Sequence, residues 1–194
     1  MKGQQQILTP ILVVLIMISI ITSVYLWGLP IIQKNRDIAV LRKAEDFMKT
    51  LDDKIKYVAN TQSKDSIDIP DGQVTFDPDN QTITLELYTK GTIYATGAPI
   101  YFVRNASDPG VWGVDEPELF WVECRDLGGQ YYTLYTLKYR TLIAPGTSNQ
   151  YKIDLVSDVV NKQIAGKGHR IYIEYRGTKE ESGKIITYVG ITLS

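Results

Sequence analysis

The stretch from Gly3 to Gln33 contains no charged residue, and this constrains the fold more than any other feature of the chain. Its apolar part, from Ile7 to Leu29, is 23 residues long. As a helix it would measure about 35 Å. The hydrocarbon core of a bilayer is about 30 Å thick, so the segment predicts a membrane-spanning helix.

The apolar segment differs from a secretory signal peptide that is cut off after its apolar core. Such cores have about 7 to 15 residues and end in a small-residue cleavage site. Here the segment is longer and is followed by SVYLWGLP, which offers no such site. Tyr25 and Trp27 occupy positions typical of an interfacial aromatic belt, and Pro10 is expected in the first turn. The segment is therefore predicted to be a retained anchor, and its lipid-facing or partner-facing positions include Ile7, Leu12, Leu15, Ile20 and Leu26.

A second helical pattern follows the apolar segment. Between residues 35 and 59, apolar residues recur every three or four positions, and charged residues, Asp52 and Asp53 among them, are assigned to the wet face. Gly28 and Pro30 are candidates for a kink between the two patterns, because glycine and proline both weaken a helix interior. Residues 4–60 are thus predicted to form one long rod, hydrophobic first and amphipathic afterwards.

The remainder of the chain has the features of a β-rich domain. Residues 61–72 are polar, contain Pro70 and an Asp-Gly pair, and are predicted to be a linker. From residue 73 to residue 194 short alternating runs are separated by turn signals, as in TITLELY at residues 82–88. The expected fold class is α+β, with an antiparallel β-sandwich-like head or a partly closed barrel after the long helix.

The sequence offers few residues for catalysis or metal binding. His169 is the only histidine, and Cys124, the only cysteine, lies in an apolar run and is expected to be a small buried side chain. Nothing resembles a nucleophile elbow or a phosphate-binding loop. We therefore expect no enzyme activity, no metal and no cofactor. The 21 basic and 22 acidic residues nearly cancel, so no nucleic-acid partner is predicted either.

Tyrosines and glycosylation sequons are the remaining surface signals. QYYTLYTLKY places Tyr131, Tyr135 and Tyr139 on one strand face, where aromatic residues serve strand packing or, alternatively, a subunit or ligand surface. Two N-x-[ST] sequons begin at Asn80 and Asn105, both in or beside predicted turns. They are candidate N-glycosylation sites and favour a head outside the cell, with the N-terminus inside.

The N-terminus resembles the class III signal peptides of archaeal type IV pilin-like proteins, the superfamily of adhesion pilins and archaellins. The resemblance is carried by Lys2, Gly3 and Gln4, followed by the apolar run. It implies that residues 1–3 are a leader peptide with Lys2 as its basic residue. A membrane prepilin peptidase would cut between Gly3 and Gln4 and so retain the apolar helix. It also implies helices bundled in a filament core, assembled by pilus machinery, with β heads outside.

Two functions follow as hypotheses from the sequence. The first is a major or minor structural subunit of an archaeal surface filament for adhesion, self-associating through its N-terminal helices and located in the cell membrane before assembly. The second is a single-pass membrane protein that does not polymerise. Its extracellular β-sandwich would bind a ligand or dock on the surface layer, as in an archaellum stator-like accessory.

Overall fold

One helix, α1, runs without interruption from Lys2 to Thr61 in the computed structural model. The structure describes residues 2–194, with side chains from Pro10 onward. The single long rod expected from the sequence is therefore present. Gly28 and Pro30 do not end the helix, and the kink expected there stays a prediction. The expectation for Pro10 is wrong: α1 begins at Lys2, so this proline lies in the helix interior and removes a backbone hydrogen bond.

Helix α1 ends just before a residue with a left-handed backbone conformation. Gln62 has a φ of 54°, in the left-handed region that commonly terminates helices. The hydroxyl of Thr61 donates to the carbonyl of Tyr57 at 2.7 Å, which satisfies one of the last free carbonyls.

Twelve strands follow α1 and form two six-stranded, mostly antiparallel sheets. They are β1 (Lys64–Asp68), β2 (Gln73–Asp77), β3 (Thr82–Thr89), β4 (Ile100–Tyr101), β5 (Gly110–Val111), β6 (Glu118–Asp126), β7 (Tyr131–Tyr139), β8 (Leu142–Ile143), β9 (Gln150–Val156), β10 (Gln163–Gly166), β11 (Arg170–Glu181) and β12 (Lys184–Leu193). The first sheet has the order β1-β11-β12-β9-β8-β5 and the second has the order β10-β2-β3-β7-β6-β4. The chain thus has the α+β class expected from its sequence.

The antiparallel arrangement expected for the head holds for most strand pairs, but two strand pairs are parallel. β12 runs parallel to β9 over seven residue pairs, from Lys184 beside Gln150 to Gly190 beside Val156, and β5 runs parallel to β8. β9 and β12 can point the same way because the chain crosses to the second sheet as β10 and returns as β11 before β12 begins.

The predicted linker, residues 61–72, contains a strand that the sequence analysis missed. β1 pairs with β11 in register from Lys64 beside Glu174 to Asp68 beside Arg170. Its side chains are mostly polar, which hides it from a hydrophobic pattern, but polar edge strands are common because charge discourages unwanted pairing. The β domain therefore begins at β1 and not at residue 73.

The second half of α1 belongs to the core of the β domain. It contacts β1, β11 and β12 of the first sheet and β3 and β7 of the second. Its buried apolar side chains join those of both sheets in one cluster; on α1 these are Leu41, Ala44, Phe47, Met48, Leu51, Ile55, Val58 and Ala59. The apolar residues that recur every three or four positions in the sequence thus form the face of α1 that the two sheets cover.

Candidate membrane and assembly site

The first half of α1 presents an apolar surface that no described part of the chain covers. The window that is apolar enough to cross a membrane has no buried residue. The predicted positions Leu12, Leu15, Ile20 and Leu26 are all exposed, and Ile11, Val13, Val14, Ile16, Met17, Ile18, Ile21 and Val24 are exposed beside them. Ile7 and the leader residues Lys2, Gly3 and Gln4 lie outside the residues whose side chains are described.

Three hydroxyl side chains within this apolar segment are hydrogen-bonded to the helix backbone. Ser19, Thr22 and Ser23 each donate a hydrogen bond of 2.8 Å to the carbonyl four residues earlier. A hydroxyl without a partner would be costly in hydrocarbon or in a helix bundle. These three hydroxyls are therefore compatible with a dry environment.

The polar end of the segment lies where α1 approaches the β domain. Tyr25 and Trp27 are exposed, as expected of interfacial aromatic residues. The first hydrogen bond from this part of α1 to the β domain is made by Asp37, whose carboxylate accepts from the amide of Gly91 at 2.8 Å. Only a few residues therefore separate the apolar segment from the β domain.

Three tyrosine hydroxyls attach the second half of α1 to the second sheet and the loop beside it. Tyr135 donates to the carbonyl of Leu41 at 2.9 Å, Tyr139 donates to Asp52 at 2.7 Å and Tyr94 donates to Glu45 at 2.8 Å. Burial raises the pKa of Tyr139 well above its usual value, so this hydroxyl stays a donor at neutral pH. The alternative that the tyrosine stripe of β7 is a subunit or ligand surface is wrong for Tyr135 and Tyr139, because both are buried against α1.

Asp52 forms a buried charged cluster that the sequence analysis missed. The Nζ atom of Lys56 lies 2.6 Å from one carboxylate oxygen of Asp52 and 3.4 Å from Oε2 of Glu118. Burial, and next the negative charge of Glu118, raise the pKa of Asp52 to about 6, although Lys56 and the Tyr139 hydroxyl oppose this shift. Two carboxylates thus share one ammonium group at the contact between α1 and β6.

The assignment of Asp52 to the wet face of the helix is wrong, since its side chain is only 7% exposed. The signal for its burial was present in the sequence: Asp52 is four residues after Met48 and three before Ile55, both of which are fully buried. Its neighbour Asp53 is exposed, as expected.

The other singled-out residues lie apart from this cluster. His169 is exposed in the turn before β11, and Cys124 is buried in β6 as expected, with its Sγ 3.3 Å from the hydroxyl of Thr92. Among the residues that the structure describes, no group of three or more His, Cys, Asp or Glu side chains is arranged to hold a metal ion.

Both sequon asparagines are exposed in loops, but their amide nitrogens make hydrogen bonds. Nδ2 of Asn80 donates to Asp77 at 2.9 Å, and Nδ2 of Asn105 donates to Asp115 at 3.2 Å. A glycan on either nitrogen would have to replace or share that hydrogen bond. Their use as glycosylation sites stays a prediction.

Comparison with known proteins gives no relative from which a role could be transferred. The chain matches no protein-family model, no curated protein and no solved structure.

Proposed function

We propose that the protein is a structural subunit, major or minor, of an archaeal type IV pilus-like surface filament that serves adhesion. The supporting observation is one continuous helix with two environments. Its first half is apolar and uncovered, and its second half is buried in the β domain. Such a helix links an apolar assembly segment to a head without a flexible joint.

The apolar segment needs a non-aqueous partner. Burying one large aliphatic side chain is worth about 1.5–3 kcal/mol, so the exposed positions from Ile11 to Leu26 together represent tens of kcal/mol. Lipid buries these side chains before assembly, and the helices of other copies bury them in a filament. The same segment thereby serves as membrane anchor and as filament core.

The leader and the head complete the proposal. Lys2, Gly3 and Gln4 match the pattern that prepilin peptidase cuts, and the mature chain would begin at Gln4. The two sheets and the helix half that contacts both would form a sandwich-like head outside the cell. Asn80 and Asn105 are its candidate glycan acceptors, and the head would bind the surface layer, a host or an inert surface.

The test is the intact mass of the protein recovered from the native membrane and from a sheared surface fraction. A chain that begins at Gln4 is expected, together with filaments in electron micrographs of the sheared fraction. A chain that begins at Met1 would contradict prepilin processing. Dispersed single chains in detergent, with no filaments in any fraction, would favour the second hypothesis, a membrane-anchored β domain that does not polymerise.

A further inference from the structure

One end of the β domain lies beside α1 just after its apolar segment. We call this end the foot and define it by Tyr88 of β3, Lys90 after it, the turn Leu127–Gln130 between β6 and β7, and Tyr131. Lys90 and Tyr131 line a surface cavity together with Pro30 and Gln33 of α1. Tyr88 and Gln130 line a neighbouring cavity with Gln33 and Arg36.

The position of the foot along α1 matches the headgroup layer of a membrane. Pro30 follows directly on the predicted span, which ends at Leu29, and Lys34 is four residues further, or about 6 Å along the helix axis. The polar layer on each side of a bilayer has a thickness of about 5–7 Å. When the span occupies the hydrocarbon core, Lys90 and Tyr131 are therefore at the depth of the lipid headgroups.

The cation of the foot, Lys90, and two cations of the adjoining part of α1, Lys34 and Arg36, are available to a ligand outside the chain. Lys34, Arg36 and Lys90 make no ion pair within the described residues. Three nearby carboxylates accept hydrogen bonds within the chain: Asp37 from the Gly91 amide, Asp71 from Lys167 at 2.5 Å, and Asp126 from the Gly128 amide at 2.8 Å. Unpaired cations at headgroup depth suit lipid phosphates.

The aromatic and apolar side chains of the foot fit the same environment. The rings of Tyr88 and Tyr132 have centroids 5.3 Å apart, and Tyr88 is exposed. Tyrosine is favoured at membrane interfaces because its ring is apolar and its hydroxyl is polar. Leu127, at the tip of the β6–β7 hairpin, is 54% exposed.

We propose that the foot docks on the headgroup layer of the membrane that α1 spans. Lys34, Arg36 and Lys90 contact lipid phosphates, and Leu127 enters the interface between headgroups and acyl chains. This inference depends on the anchoring part of the proposed function and not on polymerisation. Docking of the foot would hold the head in one orientation on the membrane before any filament assembles.

The test compares the full chain in two environments by backbone hydrogen–deuterium exchange. One sample holds single chains in nanodiscs of phosphatidylcholine with phosphatidylglycerol, and the other is in maltoside micelles, which contain no phosphate. We expect several-fold slower exchange in nanodiscs for residues 90–92 and 126–131, and no change for the distant β11–β12 turn at residues 181–184. Equal exchange at the foot in both samples, with α1 protected in both, would overturn the proposal.

A charge variant and an apolar variant test the two kinds of foot contact separately. Lys90→Glu and Leu127→Asp are each expected to abolish the extra protection at the foot. The matched controls are Lys179→Glu and Val160→Asp, which are expected to preserve it. Lys179 lies nine residues along β11 from Arg170, about 30 Å from the end of the strand near the foot. Val160 is 84% exposed and lies before Gln163, the first residue of β10. The other end of β10, Gly166, pairs with Gln73, which lines a cavity with Tyr88 of the foot.

Three further outcomes separate the possible failures. Protection that appears only with several chains in one nanodisc would mean that a second copy covers the foot, which would overturn lipid docking. Loss of protection in α1 itself would contradict the anchoring on which the inference rests. A mature chain that fails to begin at Gln4 would contradict the filament proposal and leave docking of the foot intact.

Discussion

At the scale of single residues, the ionisation of Asp52 links pH to the attachment of α1. Its pKa in the folded protein is about 6, above the ordinary value of 3.8. Between about pH 4 and 6 the folded state therefore keeps the Asp52 carboxyl protonated, whereas the unfolded chain has released that proton. The stabilisation by this proton is complete below about pH 4 and is lost as the pH rises through 6. The whole effect is at most about 3 kcal/mol, since one pKa unit corresponds to about 1.4 kcal/mol.

Asp52→Asn is expected to remove this pH dependence. The amide keeps an oxygen for the Tyr139 hydroxyl and cannot ionise, so the free energy of unfolding should be equal to or higher than that of the wild type at pH 7. The measurement is urea unfolding of the full chain in maltoside between pH 4 and 7, followed by tryptophan fluorescence. Asp53→Asn, at the exposed neighbouring position, should keep the wild-type slope. An Asp52→Asn variant with that same slope would show that another group titrates.

Gly72 is a residue at which only glycine fits. Its φ is 115°, and a Cβ atom there would lie 2.7 Å from the carbonyl oxygen of Glu86. We expect Gly72→Ala to lower the free energy of unfolding by about 2 kcal/mol or more, because strain and a backbone clash combine. Gly166→Ala is the control, since its φ is ordinary and its Cβ would meet its nearest atom at 3.6 Å. Equal thermal midpoints for the two variants would contradict this expectation.

At the scale of elements, α1 combines two kinds of helix surface in one uninterrupted element. The half from Leu41 to Ala59 depends on the sheets for its partners, and Leu51 in its middle is fully buried. Its apolar stripe faces both sheets, so its stability comes from tertiary packing more than from helix propensity.

Leu51→Ala should lower the free energy of unfolding of the head by about 2–5 kcal/mol, because it removes buried contacts and leaves a cavity. Asn60→Ala, on the exposed side near the helix end, should change it by less than about 0.5 kcal/mol. Both values are measured by urea unfolding in maltoside. A cost below 1 kcal/mol for Leu51→Ala would mean that the sheets do not pack on α1 as described.

Elements with a local hydrophobic pattern were predictable from the sequence, and elements defined by distant pairing were not. The long apolar run and the stripe of α1 are both in the structure, as are alternating strands such as β3. β1 has no such pattern and exists because β11, about a hundred residues later, pairs with it. Residues 91–95, GTIYA, are rich in residue types that favour strands but form an irregular loop, in which the Thr92 hydroxyl accepts from the Tyr94 amide and the Tyr94 ring packs on Tyr135.

The same limit applies to the candidate site. The exposed apolar positions of α1 follow from composition alone. Tyr25 and Trp27 are exposed, and their location at a membrane interface stays a prediction. The foot could not be predicted, because Lys90 and Tyr131 approach Pro30 only through the folding of the second sheet.

At the scale of the whole molecule, one charge in the apolar segment should separate anchoring from assembly. Ile18 lies at the middle of the predicted span, and an aspartate there costs about 2.5–3.5 kcal/mol in a membrane. The many remaining apolar residues outweigh that cost, so Ile18→Asp should stay in the membrane on alkaline extraction. In a filament each copy would bury an unpaired charge, so the sheared fraction should contain no filaments. Ile18→Leu should behave as the wild type, and filaments formed by Ile18→Asp would exclude this segment from the filament core.

The pairing of β1 with β11 also sets an order of events during synthesis. β1 begins three residues after α1 ends, but the first sheet is complete only when Leu193 at the end of β12 has been made, 125 residues after Asp68. At about 5–20 residues per second, translation needs roughly 6–25 s for this stretch. Throughout that interval the apolar stripe of the nascent helix lacks one of its two covers. We therefore expect the growing chain to be most prone to aggregation, and most dependent on chaperones, just before β12 is completed.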